Sequence, residues 1–521
     1  MPLLRTAPTS ARPALLPTLL SSLLRPFKAV AHPAVSGMPL RFTRSLRGLA
    51  IAAGATLVAT GPAQAAGFDN LTRLADKGFI VSAQARMLDT GETLASVNPD
   101  QQLTPASLSK LYIAGAALDR FGPQYRFSTR LRSTGSINDG VLTGDLVLEG
   151  SGDPALTSEE LWRLTEELRF RGIRRIEGRL LVSQWRFGPV PCISTDRCNA
   201  SRRSSNAYDA LLSSAASNYA SWCVKVMPGA GSQAPARLAS CDTTQPTEIF
   251  DNQVTTVAAG GKNALNARRT TSNGRDTLVV SGTIAADSQP RSIYRAVSNP
   301  ALYTGELMRD MLARAGIAVT GGVDITTTAP PSSAVQLGSV EGKPMQELLT
   351  RMLNYSNNFM ADQLTLALVG GSQATLRQGG AKLETFASAI PGHGPLTLYS
   401  GSGLTSQNRT SVNGLIALLD SMYHRPALFP TFVAGLQAPA NGPMRFIRRG
   451  SETFRNHVMV KTGTLNNPVP VRAISGYFRT QTGRWGAFAV MVNGRAAVPY
   501  LSWPQVLDPV AEDLTAMIER N

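Results

Sequence analysis

Histidine is scarce in this chain, with four in 521 residues. No His-Glu-x-x-His pair is present, and neither is a Gly-x-Ser-x-Gly elbow or a phosphate-cradling glycine loop. Those absences remove the common metalloprotease, α/β-hydrolase and nucleotide-binding readings. No apolar run approaches the roughly 20 residues that a membrane-spanning helix needs, so no stable transmembrane anchor is expected. Acidic residues are also few, 35 against 51 Lys and Arg. The basic residues are scattered and form no run beside aromatics, so nucleic acid is not expected as a partner. Cysteine is limited to four residues within one 50-residue stretch: Cys192, Cys198, Cys223 and Cys241.

What is present begins with an export signal. From Met38 the chain carries Arg41, Arg44 and Arg47, then a short apolar run from Leu49 to Thr60, then Ala63-Gln64-Ala65. This is the order of a cleavable secretory signal, which predicts a periplasmic protein starting near Ala66. Residues 1–37 read either as a transit-like extension or as sequence upstream of a start at Met38; we take the second. Residues 1–65 hold seven Lys/Arg and no acid, so removing them lowers the formal charge from +16 to +9. That excess suits an anionic polymer or surface outside the cytoplasm. Export also predicts disulfides. Three pairings are open, and Cys192–Cys198 with Cys223–Cys241 is the most local. The cysteines lack a C-x-x-C pair and a nearby histidine, so no metal is expected.

The length predicts two or three domains. Val81 to Met87 alternates as a half-buried strand, and Thr93 to Val97 returns after the Asp89-Thr90-Gly91 turn. Thr104 reads as an N-cap and Pro105 as the first residue of a helix that runs to about Phe121. Helical patterns recur at Met345 to Leu353, Met360 to Leu368 and Val412 to Tyr423. Val458 to Val460, Ala473 to Phe478 and Trp485 to Val492 form a meander, and a helix over about Trp503 to Glu519 ends the chain. One sheet built from both chain ends is predicted. The expected catalytic domain is 66–133 with 336–521. A β-rich insertion fills 134–335, with an inner part near 212–290.

Ser107 and Lys110 share one helix face. At a helix start the Ser107 N–H lacks an intrahelical partner and can face an oxyanion. A desolvated lysine can accept the serine proton. Alone, Ser-x-x-Lys arises by chance on many solvated helices. Ser356-Asn357-Asn358 follows 249 residues later, and Lys461-Thr462-Gly463-Thr464 a further 105. A hydroxyl and an amide can relay a proton and hold a substrate amide. A strand ending Lys-Thr-Gly offers a cation and hydroxyls to a carboxylate, its glycine letting the substrate backbone lie close. Each alone is a loop or a strand end; in this order they form the trio of β-lactamases and penicillin-binding proteins.

With Asp89-Thr90-Gly91-Glu92, Gly152-Asp153-Pro154, Gly401-Ser402-Gly403-Leu404 and Ile474-Ser475-Gly476-Tyr477, the chain resembles the D-alanyl-D-alanine carboxypeptidase/endopeptidases. These are the class C low-molecular-mass penicillin-binding proteins. The resemblance covers most of residues 68–521, and the long gap between the first two motifs is typical of that family. It implies an α/β (α+β) fold of the penicilloyl-serine transferase/β-lactamase type, with an antiparallel sheet flanked by helices and inserted β-rich domains. It implies peptidoglycan stem peptides as substrate, β-lactam antibiotics as inhibitors and no cofactor. Ser107 would be the nucleophile, Lys110 its base, Ser356 the proton donor to the leaving amine, and Asn358 the orienting amide. Lys461, Thr462, Gly463 and Thr464 would bind the terminal carboxylate, with the N–H groups of Ser107 and Thr464 as oxyanion hole.

Asp153 resembles a family residue that contacts the amino end of a diaminopimelate side chain; otherwise it is a turn aspartate before Pro154. The family often has an arginine just after Gly-Ser-Gly-Leu. That arginine helps bind the diaminopimelate side chain; this chain has Ser406 there and Arg409 three residues on, so either Arg409 substitutes for it in binding substrate or the preference for that side chain is weaker. Tyr355-Ser356-Asn357 also reads as the Tyr-x-Asn of class C β-lactamases. Ser356 with Asn358 is preferred because Ala361-Asp362 then falls as in the peptidases. A β-lactamase, or a wall-binding scaffold without turnover, are the alternative functions.

Overall fold

The computed structural model describes residues 67–192, 206–242, 250–496 and 498–521. The signal segment and Cys198, and with it the expected Cys192–Cys198 bridge, lie outside them. Cys223 and Cys241 are bonded, with their Cα atoms 5.3 Å apart. Among the described residues no helix is long and apolar enough to cross a membrane.

The two chain ends build one five-stranded antiparallel sheet. Its order is Val458–Leu465, Val471–Arg479, Trp485–Asn493, Ile80–Met87, Thr93–Val97. The turn foreseen at Asp89–Gly91 and a second at Thr480–Gly483 close its hairpins, and Gly91 and Gly483 take left-handed φ of 73° and 87°. An Arg484–Asp89 ion pair at 2.6 Å ties these two turns together.

Successive strand residues point to opposite faces, and each face has its own core. Ala473, Tyr477, Ala487, Ala489 and Met491 pack with the helices Ser109–Phe121, Met345–Asn354 and Val412–Tyr423. Ile474, Phe478, Phe488, Val490 and Val492 pack under the last helix, Trp503–Arg520. Burying one such Ile, Val or Phe contributes roughly 1.5–3 kcal/mol, so this double packing makes the sheet a firm mount for the site. It also explains one departure from expectation. Ile80–Met87 is not half-buried: Ser82 and Gln84, its polar positions, are buried as well. The strand lies between two neighbours, and Ser82 donates to the Asn98 carbonyl at 2.9 Å.

The middle of the chain is less purely β than its Gly, Ser and Thr content suggests. Leu146–Glu149, Leu180–Ser183 and Val323–Thr326 pair in parallel, and Ser158–Phe170 and Pro300–Arg314 are helices. Leu161, Leu164 and Leu168 of the first helix enter the core of that region, with a Thr157/Glu160 capping box at its start. Arg126–Ser133, within the stretch assigned to the catalytic part, pairs with Leu146–Glu149 and Val335–Pro344 of this second sheet. The inner sheets also run past residue 290, because Arg291–Ala296 pairs with Ser221–Met227.

Candidate active site

The turn carrying Ser107 departs from the foreseen helix start. Thr104 is not an N-cap: its hydroxyl faces Arg409 at 2.7 Å and the Ser406 carbonyl at 3.3 Å. Ala106–Leu108 forms a 3-10 turn, and the α-helix begins at Ser109. Ala106 is held at φ +48°, which costs roughly 1–2 kcal/mol for a residue with a Cβ. Two glycines clamp this turn. A Cβ on Gly403 would come within 1.9 Å of the Ala106 carbonyl, and one on Gly463 within 2.6 Å of the Pro105 carbonyl. The glycine of Lys-Thr-Gly thus lets the Pro105–Ser107 backbone lie against the strand, a different close approach from the one the sequence suggested.

Lys110 is fully buried. Its Nζ lies 3.0 Å from Ser107 Oγ, 2.7 Å from Asn358 Oδ1 and 2.7 Å from the Ser402 carbonyl. The three partners come from three distant stretches. Asn358 opens the helix Asn358–Ala367, and its amide nitrogen donates to the Tyr208 carbonyl at 3.2 Å. Asn357 caps that helix by accepting from the Met360 N–H at 2.9 Å, and the Tyr355 side chain is exposed. The Tyr-x-Asn alternative therefore does not reach Lys110, whereas Asn358 does.

The Ser402 carbonyl was not among the expected groups. It is aimed by buried Asp362, whose Oδ1 accepts from the Ser402 N–H and the Ser400 hydroxyl, both at 2.9 Å. Buried Asn408 braces the same loop, donating to the Ser400 carbonyl at 2.8 Å and to Ser109 Oγ at 2.9 Å. The Gly-Ser-Gly-Leu stretch and Asp362 were visible in the sequence, but nothing there said that a backbone carbonyl was the working group.

Across the cleft, Lys461 is fully buried on the edge strand Val458–Leu465. Its Nζ donates to Ser356 Oγ at 2.9 Å and to the Thr462 carbonyl at 2.7 Å. Burial pulls its pKa down to about 7. Ser356 sits at φ +52°, a second strained backbone position beside a reactive hydroxyl. Gln437 pairs with the outer edge of the strand at Val460 in both directions. By the two-residue period, Thr462 and Thr464 also turn their backbone groups outward, and Thr464 is exposed.

Ser107, Lys110, Ser356, Asn358, Lys461 and Thr462 are thus linked in one cleft; Asp153 and Arg409 are placed otherwise. Asp153 is buried, its Oδ1 accepts from the Ala155 N–H at 2.8 Å, and burial raises its pKa to about 7. It behaves as a turn aspartate packed against Gly342, where a Cβ would meet Oδ2 at 2.0 Å. Arg409 donates to the Asn408 and Ser406 carbonyls of its own loop and to Thr104 Oγ1, which ties that loop to the base of the Ser107 turn. His393 is buried against the Tyr112 hydroxyl at 2.9 Å, in a network with Thr410 away from both lysines. Among the described residues no group of three or more His, Cys, Asp or Glu could hold a metal ion.

Comparison with known proteins adds a family context. The model of the D-Ala-D-Ala carboxypeptidase 3 (S13) family matches residues 70–506. The D-alanyl-D-alanine carboxypeptidase of Actinomadura sp. (strain R39) is 29% identical over 431 residues, covering 78% of this chain and 76% of its own. The D-alanyl-D-alanine carboxypeptidase DacB of Haemophilus influenzae is 25% identical, covering 82% and 88%. The crystal structure of penicillin binding protein 4 from Haemophilus influenzae superposes with a TM-score of 0.69 at 21% identity, covering 86% of this chain and 98% of that one. The fold is that of the penicillin-binding proteins.

Proposed function

The chain belongs to the D-Ala-D-Ala carboxypeptidase 3 (S13) family and is a serine-type peptidase, and from that premise we propose that Ser107 attacks the D-alanyl-D-alanine bond of peptidoglycan stem peptides. The observation that carries this reading is the threefold environment of the Lys110 nitrogen. A neutral amine has two N–H bonds and one lone pair. Asn358 Oδ1 and the Ser402 carbonyl can only accept, so they take the two N–H bonds. The lone pair is then left facing the Ser107 hydroxyl at 3.0 Å, as a general base requires.

In the proposed reaction Ser107 Oγ bonds to the carbonyl carbon as its proton passes to Lys110 Nζ. The oxyanion is held by the N–H groups of Ser107 and Thr464. The C–N bond then breaks, and Ser356 Oγ gives its proton to the departing D-alanine nitrogen. Lys461, 2.9 Å away, replaces that proton; a buried amine titrating near pH 7 is suited to this. Thr462, Thr464 and the charge of Lys461 hold the terminal carboxylate, and the Asn358 amide orients the substrate. Once Lys110 has passed the proton it took to solvent and Lys461 has regained one, Lys110 accepts a proton from the water that attacks the acyl carbonyl and returns it to Ser107 Oγ as the acyl group leaves. The same acylation makes the enzyme penicillin-sensitive, and it serves both carboxypeptidase and endopeptidase cleavage. Export by the signal segment would place it in the periplasm. The region bounded by Arg126–Ser133 and Val335–Pro344 is read as an insertion into the catalytic domain.

Purified mature protein incubated with a stem pentapeptide should release one D-alanine per peptide. Cross-linked dimers should fall to monomers in the same assay, with both activities lost in Ser107→Ala. Rapid turnover of a cephalosporin without alanine release would overturn the reading in favour of a β-lactamase.

A further inference from the structure

Against Ser356 and Asn358, the second of which bonds to Lys110, lies a cavity of about 590 Å³, within the size range of small-ligand sites. Its floor is Ser356 to Phe359, and its other walls come from the inserted region. Four tyrosines line it: Tyr208, Tyr219, Tyr294 and Tyr355. Three of them leave more than half of their surface in solvent, 52% for Tyr208, 55% for Tyr294 and 69% for Tyr355. Exposed aromatics gathered in one concavity mark a binding surface rather than scattered solvent contacts. The wall is also strained. Asn218, Tyr219 and Ala220 take left-handed φ of 51°, 57° and 51° in succession, which non-glycine residues rarely do and which clusters at ligand sites. Ser158 N–H on Asn218 Oδ1 and the Val297 N–H on the Ala220 carbonyl hold the turn in place.

Charge selects the ligand. The lining contains no Lys or Arg, in a chain with 51 of them. Its single carboxylate, Asp242, is engaged by Ser158 and Asn218. A cation, Arg351, touches the side chain of the lining Tyr219, but it is already paired with Glu347 at 2.7 Å, so a stem peptide rich in carboxylates finds little counter-charge here. A neutral, hydroxyl- and amide-bearing ring needs none: its apolar face can stack on tyrosine, while Asn357, whose Oδ1 caps its helix, can donate from its amide nitrogen. The stem peptide is covalently attached to such rings, the N-acetylated sugars of the glycan. We propose that this cavity is a subsite for an N-acetylated sugar of the strand whose stem peptide reaches Ser107. The inference rests on the stem-peptide reading above and extends it to the glycan.

The test uses a neutral disaccharide, so that it does not depend on turnover. Saturation-transfer NMR with N,N′-diacetylchitobiose and the mature wild-type protein should show transfer to the acetyl methyls. Tyr294→Ala should reduce it about five- to tenfold, the range of one lost aromatic contact, and Tyr294→Phe should retain it. In kinetics, a disaccharide-linked pentapeptide should have a lower KM than the free pentapeptide, and Tyr294→Ala should abolish that advantage with kcat unchanged. No transfer to wild type, or equal transfer to Tyr294→Ala, would overturn the subsite. Acylation of Ser107 by penicillin, followed on the same samples, reports separately on the enzyme reading: its failure with intact sugar transfer would sink that reading and leave the subsite standing.

Discussion

The helix wall and the strand wall of the cleft each bury a lysine completely and set its nitrogen against a serine hydroxyl. They differ in where the other partners come from. Lys110 on the helix wall is surrounded by groups from residues 107, 358 and 402, so its state depends on three segments meeting. Lys461 on the strand wall has Ser356 and a carbonyl of its own strand. Burial then dominates and brings its pKa down to about 7. Under the proposed function, the helix wall would remove a proton from the nucleophile, and the strand wall would present a charge that can be given up.

The contrast can be broken most severely at Lys110. Lys110→Arg keeps the charge but cannot deprotonate, so acylation should slow on the order of 10³-fold or more, the scale of a lost general base. Stopped-flow acylation by a fluorescent penicillin measures it, and near wild-type rates would mean that Lys110 acts through charge alone. Lys461→Met should cost about 10²-fold in kcat/KM for a peptide with a free terminal carboxylate, as for a truncated buried charge contact. The loss should be smaller for the terminal amide. In the wild type, Lys461 is charged below about pH 7, so KM for the free acid should rise as pH passes upward through that value. The stability effect has the same origin. The unfolded lysine keeps its proton up to 10.5, so between about 7 and 10.5 the unfolded chain binds more protons and stability increases with pH. Urea midpoints of Lys461→Met should lose that component of the slope.

Smaller effects sharpen the comparison. Asp362→Ala removes the acceptor that aims the Ser402 carbonyl and leaves the Ser402 N–H and Ser400 hydroxyl to the weaker contacts between those two serines. It should cost roughly 1–3 kcal/mol of stability and lower the acylation rate about tenfold, read by thermal unfolding and by penicillin labelling. Arg409→Ala removes the contacts of an exposed side chain to its own loop and to Thr104; stability should change by about 0.5 kcal/mol or less, with kcat/KM for diaminopimelate peptides within about twofold. A larger loss would return Arg409 to the substrate site.

The strand wall was the more legible in sequence. Its last strands are short apolar runs, and Lys461-Thr462-Gly463-Thr464 stands as one unbroken stretch. On the helix wall the Ser107–Lys110 spacing was readable, but the local backbone was not. Thr104 and Pro105 have good propensities for a helix start, yet tertiary pressure from Gly403 and Gly463 forces Ala106 left-handed and delays the helix. Asp362, Asn408 and the Ser402 carbonyl act through contacts across tens to hundreds of residues, which no local pattern encodes. In the middle of the chain, the leucine spacing at 161, 164 and 168 and the Thr157/Glu160 box were helix signals outweighed by Gly, Ser and Thr content. Asp153 and Arg409 rested on resemblance alone; Asp153 bonds within its own turn, and Arg409 bonds to its own loop and to Thr104.

The most direct test is the mass of the intact mature protein after incubation with benzylpenicillin, followed by peptide mapping. One added penicilloyl group on the peptide containing Ser107, absent from Ser107→Ala and strongly slowed in Lys110→Arg, is the predicted result. An unmodified protein, or an adduct on any other residue, would contradict the assignment of Ser107 as the nucleophile that Lys110 activates.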